Sequence, residues 1–177
     1  MKKYLIPALL STTVGAMFGT MAAPAFADDH MTDNSQLAKR IYIGGGVNHN
    51  VIDSPFSGQD ADANGYTVFA GLEFPNSVAG LMTSAELGYS DTGEFYDGPG
   101  DTDINGIWVA AVAEKSLPEI DPRLSALARG GLDLGDDDGI FLGAGVGFKA
   151  SEQVGLRAEF INKDASSVYQ FSALFHF

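Results

Sequence analysis

The 177-residue sequence contains no cysteine, which removes any disulfide framework and any thiolate metal or redox site. Basic residues are scarce, with 10 Lys+Arg against 23 Asp+Glu and a formal charge of −13. That balance excludes nucleic acid as a partner, because binding phosphates needs a basic face. Histidine occurs only at His30, His49 and His176, which confines imidazole chemistry to three positions. No hydrophobic run is long enough for a membrane-spanning helix. The apolar stretch from Tyr4 to Met21 is broken by Pro7, Gly15 and Gly19, and Pro24 follows it.

The N-terminus instead has the parts of a cleaved signal peptide. Lys2 and Lys3 supply the positive start, the apolar stretch follows, and Ala25-Phe26-Ala27 gives the small-x-small end. Residues 1–27 are expected to be removed, and losing two lysines makes the mature chain still more acidic. Residues 28–39 are polar and without periodicity, and are expected to form a disordered periplasmic lead-in.

From residue 40 to 177 the dominant signal has period two, in segments of about ten residues, the length a tilted membrane strand needs. The segments are 40–48, 65–74, 80–90, 105–115, 123–134, 139–149, 153–162 and 168–177. The second sets Tyr66, Val68, Ala70, Leu72 and Phe74 against Thr67, Phe69, Gly71 and Glu73. The sixth sets Ile140, Leu142, Ala144, Val146 and Phe148 against Phe141, Gly143, Gly145 and Gly147. The fourth is ambiguous by pattern alone. If Glu114 points inward, Ile107, Val109 and Ala111 face out and Trp108 lies inside. Long acidic connections (49–64 and 91–104) alternate with short ones such as 75–79 and 150–152, as outer loops alternate with periplasmic turns in outer-membrane barrels. The lengths of 116–122, 135–138 and 163–167 follow that rule less well.

The two faces decide the environment. Strand charges at Glu73, Glu86, Arg129, Arg157 and Glu159 share a face with glycine and serine, which suits a narrow lumen where ions pair. The other face is aliphatic and aromatic, and in water it would be one large aggregating surface. Tyr66, Tyr89, Phe160 and Tyr169 fall at one end of this face. Phe74, Phe148, Phe175 and Phe177 fall at the other, in the positions of two interfacial girdles. The reading is an all-β fold: an eight-stranded antiparallel up-and-down transmembrane β-barrel over residues 40–177, following the cleaved signal peptide.

The chain ends Tyr169-Gln170-Phe171-Ser172-Ala173-Leu174-Phe175-His176-Phe177, with Tyr169, Phe171, Phe175 and Phe177 in alternating register. This end resembles the C-terminal signature read by the outer-membrane assembly machinery. Together with the repeats, leader and length, the mature chain resembles the OmpA/OmpX-like family of eight-stranded outer-membrane barrels. The resemblance implies a fold and a location in the outer membrane of a Gram-negative bacterium. It implies as partners the surrounding membrane lipid and lipopolysaccharide, and the assembly machinery. A monomer is expected.

Three patterns are candidates for chemistry. The five lumen charges suit a plug that fixes strand register, with a gated ion path as the alternative. Asp60, Asp62 and Asn64, followed by Gly65, and Asp101, Asp103 and Asn105, followed by Gly106, both read D-x-D-x-N-G, the first half of a calcium loop. Gly71 and Val112 stand where its bidentate glutamate belongs, and the bland reading is Asn-Gly turn chemistry. Calcium is the one ion the sequence suggests, and no other cofactor is expected. Lipid A-modifying enzymes occur among small barrels, and their chemistry needs histidine with serine and an acid. Only His49, near Asp53 and Ser54, is placed for that. We expect a non-enzymatic barrel with a structural or surface-interaction role and acidic outer loops, ahead of a narrow channel and of an enzyme. Deleting Phe177 should lower the yield of assembled barrel, as measured by heat-modifiable gel mobility of membrane fractions. Unchanged yield would show that the terminal alternation is not an assembly signal.

Overall fold

In lipid no backbone N–H or C=O can turn to water, so a sheet of this sequence must close on itself. It does so in the computed structural model, which describes residues 37–52, 61–95, 103–164 and 166–177. The strands are β1 (Ile41–Ile52), β2 (Ala61–Phe74), β3 (Leu81–Asp91), β4 (Asn105–Ser116), β5 (Leu124–Asp133), β6 (Gly139–Lys149), β7 (Val154–Asn162) and β8 (Ser166–His176). Each pairs antiparallel with its neighbours in sequence, and β8 closes on β1. The expected signal peptide, residues 1–27, and most of the expected lead-in, 28–39, lie outside the described residues.

The faces follow the period-two pattern in all eight strands, and β4 places Trp108 inward, 4% exposed, with Glu114 on the same side. The extents differ from the sequence expectation at the outer end. β1 and β2 stay paired out to Ile52 and Ala61, so residues expected in the first outer loop are strand. Their small and polar composition hides a ladder that backbone hydrogen bonds and a second pairing, β1 with β8 out to Ser166, maintain. Beyond the girdle residue Tyr66, β2 continues through Ala61–Gly65, while β3 ends at Asp91, soon after Tyr89.

Inside, bulk is accommodated by glycine. Tyr42 faces Gly71 and Phe69 faces Gly44 across the β1–β2 ladder. Trp108 faces Gly88, and Phe141 faces Gly131. A Cβ at any of these four glycines would run into the ring opposite. The rings lie across bare backbone and stack in series, Tyr42 to Phe69 at 6.5 Å, Phe69 to Trp108 at 5.9 Å and Trp108 to Phe141 at 6.2 Å.

The periplasmic turns are held locally. Asn76 accepts from the Val78 amide and donates to the Leu81 carbonyl, and Gly80 takes the positive φ (69°) that ends the turn. In the longer turn before β5, the Arg123 side chain and then its amide hold the Asp121 carboxyl below the usual carboxylate range. That contribution is present above the ordinary carboxylate pKa and is lost as pH falls through the lowered value. At the periplasmic rim Arg123 lies over Phe148 at 4.9 Å and Arg40 over Phe74 at 5.8 Å.

Replacing Gly71 by valine should destabilise the barrel by about 1–3 kcal/mol, the usual cost of overpacking. Gly45 faces outward, and an added Cβ there meets nothing closer than 3.5 Å. Gly45→Ala should therefore unfold at the wild-type urea midpoint, and equal losses at both sites would refute the packing account.

Candidate functional site

The middle of the lumen is filled by an ion-pair network centred on Glu86 of β3, whose side chain is fully buried. Glu86 Oε2 accepts from Arg129 Nη2 at 2.8 Å. Its Oε1 accepts from Arg157 Nη1 at 2.6 Å and from the Tyr42 hydroxyl at 2.6 Å. The same hydroxyl lies 2.9 Å from Ser84 Oγ. Each arginine holds a second carboxylate: Arg129 Nη1 reaches Glu159 Oε1 at 3.2 Å, and Arg157 Nη2 reaches Glu114 Oε2 at 3.1 Å. Ser125 Oγ donates to Glu114 Oε1 at 2.6 Å.

Geometry explains why these five strands supply the network. Arg129 of β5 and Ile161 of β7 both face Gly143, and Arg157 of β7 faces Gly147, so the guanidiniums extend across the lumen over small residues. Arg129 also lies over Trp108 at 4.6 Å and Phe141 at 5.7 Å, and Arg157 lies 5.5 Å from the Tyr42 ring. The plug thus continues outward into the aromatic stack. Arg129 Nε and Glu159 Oε2 are buried with no hydrogen bond, so the outer arm of the network is less fully tied than the inner one.

Of the charges singled out in the sequence, the lumen brings together Glu86, Arg129, Arg157 and Glu159. Glu73 stands apart near the periplasmic mouth, its Oε1 3.2 Å from His176 Nε2. It touches the network only at second hand, because the His176 ring packs on Tyr42 at 5.2 Å. Glu114 and Tyr42 are members that the sequence reading did not list. The inward parity of Glu114 was the available signal.

At the outer mouth a second polar layer closes the lumen. Lys163 Nζ lies 2.6 Å from Asp133 Oδ2, and Ser166 Oγ donates to Asp137 Oδ2 at 2.8 Å. Asn50 Nδ2 donates to Asn48 Oδ1 at 2.7 Å and to the Thr92 carbonyl at 3.3 Å, which ties the start of the β3–β4 loop to β1. Between this layer and the network about 20 Å³ remains, against about 260 Å³ in the vestibule open to the periplasm.

The D-x-D-x-N-G segments are only partly described, since Asp60 and Asp101 lie outside the described residues. Asp62 and Asn64 project from the outward face of β2, about 7 Å apart along an extended strand. Asn64 Oδ1 is 3.0 Å from His49 Nδ1. Asn105 Nδ2 donates to Asp103 Oδ2 at 3.1 Å. Among the described residues no three His, Asp or Glu side chains gather as a metal cluster. His49 is a β1 strand residue, not the start of a loop, and Asp53 and Ser54 lie outside the described residues. Tyr169, Phe171, Phe175 and Phe177 all face outward and are exposed, with Phe175 and Phe177 in edge contact at 5.5 Å.

Residues 13–170 match the outer membrane protein beta-barrel domain. The chain belongs to that family. This outer-membrane barrel resembles two solved structures, Neisserial surface protein A (NspA) and Ail, the attachment invasion locus protein of Yersinia pestis. Each is 15% identical, has a TM-score of 0.50, and aligns over 77% of this chain and 97% of its own. At that identity the likeness speaks for the fold. Among curated proteins there is no match. The family places the barrel in the outer membrane. The rule that longer loops face out assigns the β1–β2, β3–β4, β5–β6 and β7–β8 connections to the outer side.

Glu86→Ala should cost about 3–5 kcal/mol, because it takes one of two carboxylate partners from each of two buried guanidiniums. Glu114→Ala should cost less, since its side chain is 18% exposed and Arg157 keeps Glu86. Urea unfolding in lipid vesicles measures both, and equal effects would deny Glu86 its central place.

Proposed function

We propose that this outer-membrane barrel is a closed, non-enzymatic anchor that presents an acidic outer surface for interaction. The observation that carries the reading is the occluded lumen, in which the Glu86 network and the rings of Tyr42, Phe69, Trp108 and Phe141 fill the section midway. An eight-stranded barrel has room for its own side chains and little else.

The outer end is acidic. Asp62, Asp91, Asp103, Asp136, Asp138 and Asp164 lie there, and Lys163 is the one base among the described residues at that end. A partner with a basic surface is favoured over one rich in phosphate or sulfate. NspA is called a surface protein and Ail an attachment protein in their own structures. A surface role here is the reading their names suggest.

Two observations support a non-enzyme. His49 pairs with an asparagine, and His176 pairs with Glu73 and packs on Tyr42. Among the described residues neither is flanked by both the serine and the acid that nucleophilic catalysis by a triad needs.

Planar-bilayer recording tests the reading. Wild-type barrel should give no steady conductance, and Glu86→Ala should open measurable current by splitting the plug into an outer and an inner half. Steady wild-type current would favour the narrow-channel alternative.

A further inference from the structure

Rings mark the outer boundary of the hydrocarbon on four strands, Tyr66 on β2, Tyr89 on β3, Phe160 on β7 and Tyr169 on β8. Among the described residues β4, β5 and β6 carry no outward ring at their outer ends. Where the boundary crosses them follows from the tilt of the strands. Register partners followed once round the barrel lead from Asn50 of β1 through Val168, Gly143, Val112 and Ser84 to Glu73. The Glu73 amide then donates to the carbonyl of Arg40, back on β1. The circuit runs from residue 50 to residue 40, a stagger of ten, so each step in this direction descends by about one and a quarter residues. In the opposite direction Ile107 of β4 pairs with Tyr89, and Leu134 donates its amide to the Ile107 carbonyl at 2.9 Å, so both lie above the boundary. Phe160 pairs with Ala144 of β6, and Ile140 lies four residues further out than Ala144. Leu134 and Ile140 therefore stand about 6–7 Å beyond the girdle. At this height the other five strands turn polar residues outward: His49, Asn64, Asp91, Asn162 and Ser167.

We propose that Ile107, Leu134 and Ile140 form a docking patch outside the membrane for a protein segment whose apolar side chains are flanked by lysine or arginine. The proposal rests on the surface role argued above and gives that role a place and a partner chemistry. The three side chains are 54%, 65% and 67% exposed, and among the described residues nothing covers them. Adjacent apolar side chains held in water mark an interaction site. The neighbours decide the occupant. Asp136 and Asp138 are exposed in the same turn. Asp164 is exposed beside the start of β6, where a Cβ on Gly139 would lie 3.6 Å from that of Asp164. Lys163, the nearby base, is taken by Asp133. Carboxylates around an apolar centre repel anionic headgroups, which disfavours burial in lipid, and attract cationic side chains. The support is rigid. Asp136 Oδ2 accepts from the Asn105 amide at 3.2 Å, the Asp136 amide donates to the Asn105 carbonyl at 3.1 Å, and Gly106 meets Gly135 too closely for a Cβ on either. A patch held in place before binding loses little freedom when a partner arrives.

Two measurements on the barrel in zwitterionic lipid nanodiscs test the patch. The chain has no cysteine, so Leu134→Cys and Val146→Cys each give a single site for a spin label. Val146 faces outward six residues inside Ile140 on β6 and serves as the lipid control. A water-soluble nickel chelate should dominate relaxation of the label at 134, and oxygen that of the label at 146. Oxygen-dominated relaxation at both would put the patch in lipid and overturn the proposal. The binding probes are a short peptide of alternating leucine and lysine and its counterpart with serine for leucine, equal in charge. With binding to empty nanodiscs subtracted, the wild-type barrel should hold the leucine peptide about tenfold more tightly than the serine one. The double variant Leu134→Ser, Ile140→Ser should erase that preference, with heat-modifiable mobility confirming a closed barrel. A leucine preference absent from the wild type, or unchanged in the double variant, would overturn the patch and leave the acidic surface standing. Binding of neither peptide would overturn the patch and the acidic-surface reading together.

Discussion

Each of the four large rings in the lumen depends on a glycine opposite it. Eight strands enclose a section so narrow that a ring crossing it needs bare backbone on a neighbouring strand. The ladder therefore sets Tyr42 on Gly71, Phe69 on Gly44, Trp108 on Gly88 and Phe141 on Gly131. The same rule places Arg157 opposite Gly147 and Glu159 opposite Gly145. Register is consequently over-determined. A slip by one residue would turn the lumen face to lipid, and a slip by two would set ring against ring and charge against charge. Glycine in these strands specifies the fold as much as the aromatics do.

The charges use the space so cleared. Three carboxylates, Glu86, Glu114 and Glu159, face two guanidiniums, Arg129 and Arg157. Among the described residues Glu86 is the one anion shared by both cations. Its removal leaves two separate pairs, Arg129 with Glu159 and Arg157 with Glu114, each still electrically satisfied. The network is thus two ion pairs joined by a bridge. Desolvating so many charges is tolerable because the hydroxyls of Tyr42 and Ser125 donate to Glu86 and Glu114, and the rings of Trp108 and Phe141 lie against Arg129.

Much of this was legible in the sequence because a strand has one strong rule, that alternate residues face opposite ways. Parity alone assigned the inner and outer faces of seven strands, and the fourth, which carries Trp108, only on the condition that Glu114 points inward. Parity gives no axial depth, however. Glu73 shares the face and chemistry of Glu86, but it lies lower on β2 and meets His176 at the periplasmic mouth. Glu114 was passed over because its strand was uncertain, although its parity pointed inward. The outer ends of β1 and β2 were misjudged for a different reason. Asp62, Asn64 and Gly65 have turn propensities, and their pairing with β1, which β8 backs on its other side, overrides propensity. The ring series depends on four strands meeting, which no single segment encodes.

Trp108 is the sole tryptophan of the chain. In many membrane proteins that side chain sits at the lipid interface and its emission reports the bilayer. Here the indole lies in the lumen, 4.6 Å from the Arg129 guanidinium. The unlabelled protein therefore carries an optical probe of its own plug, with a cation against its face and no lipid in contact. Changes in intrinsic fluorescence will register hydration and charge in the lumen, while the composition of the surrounding membrane stays almost silent.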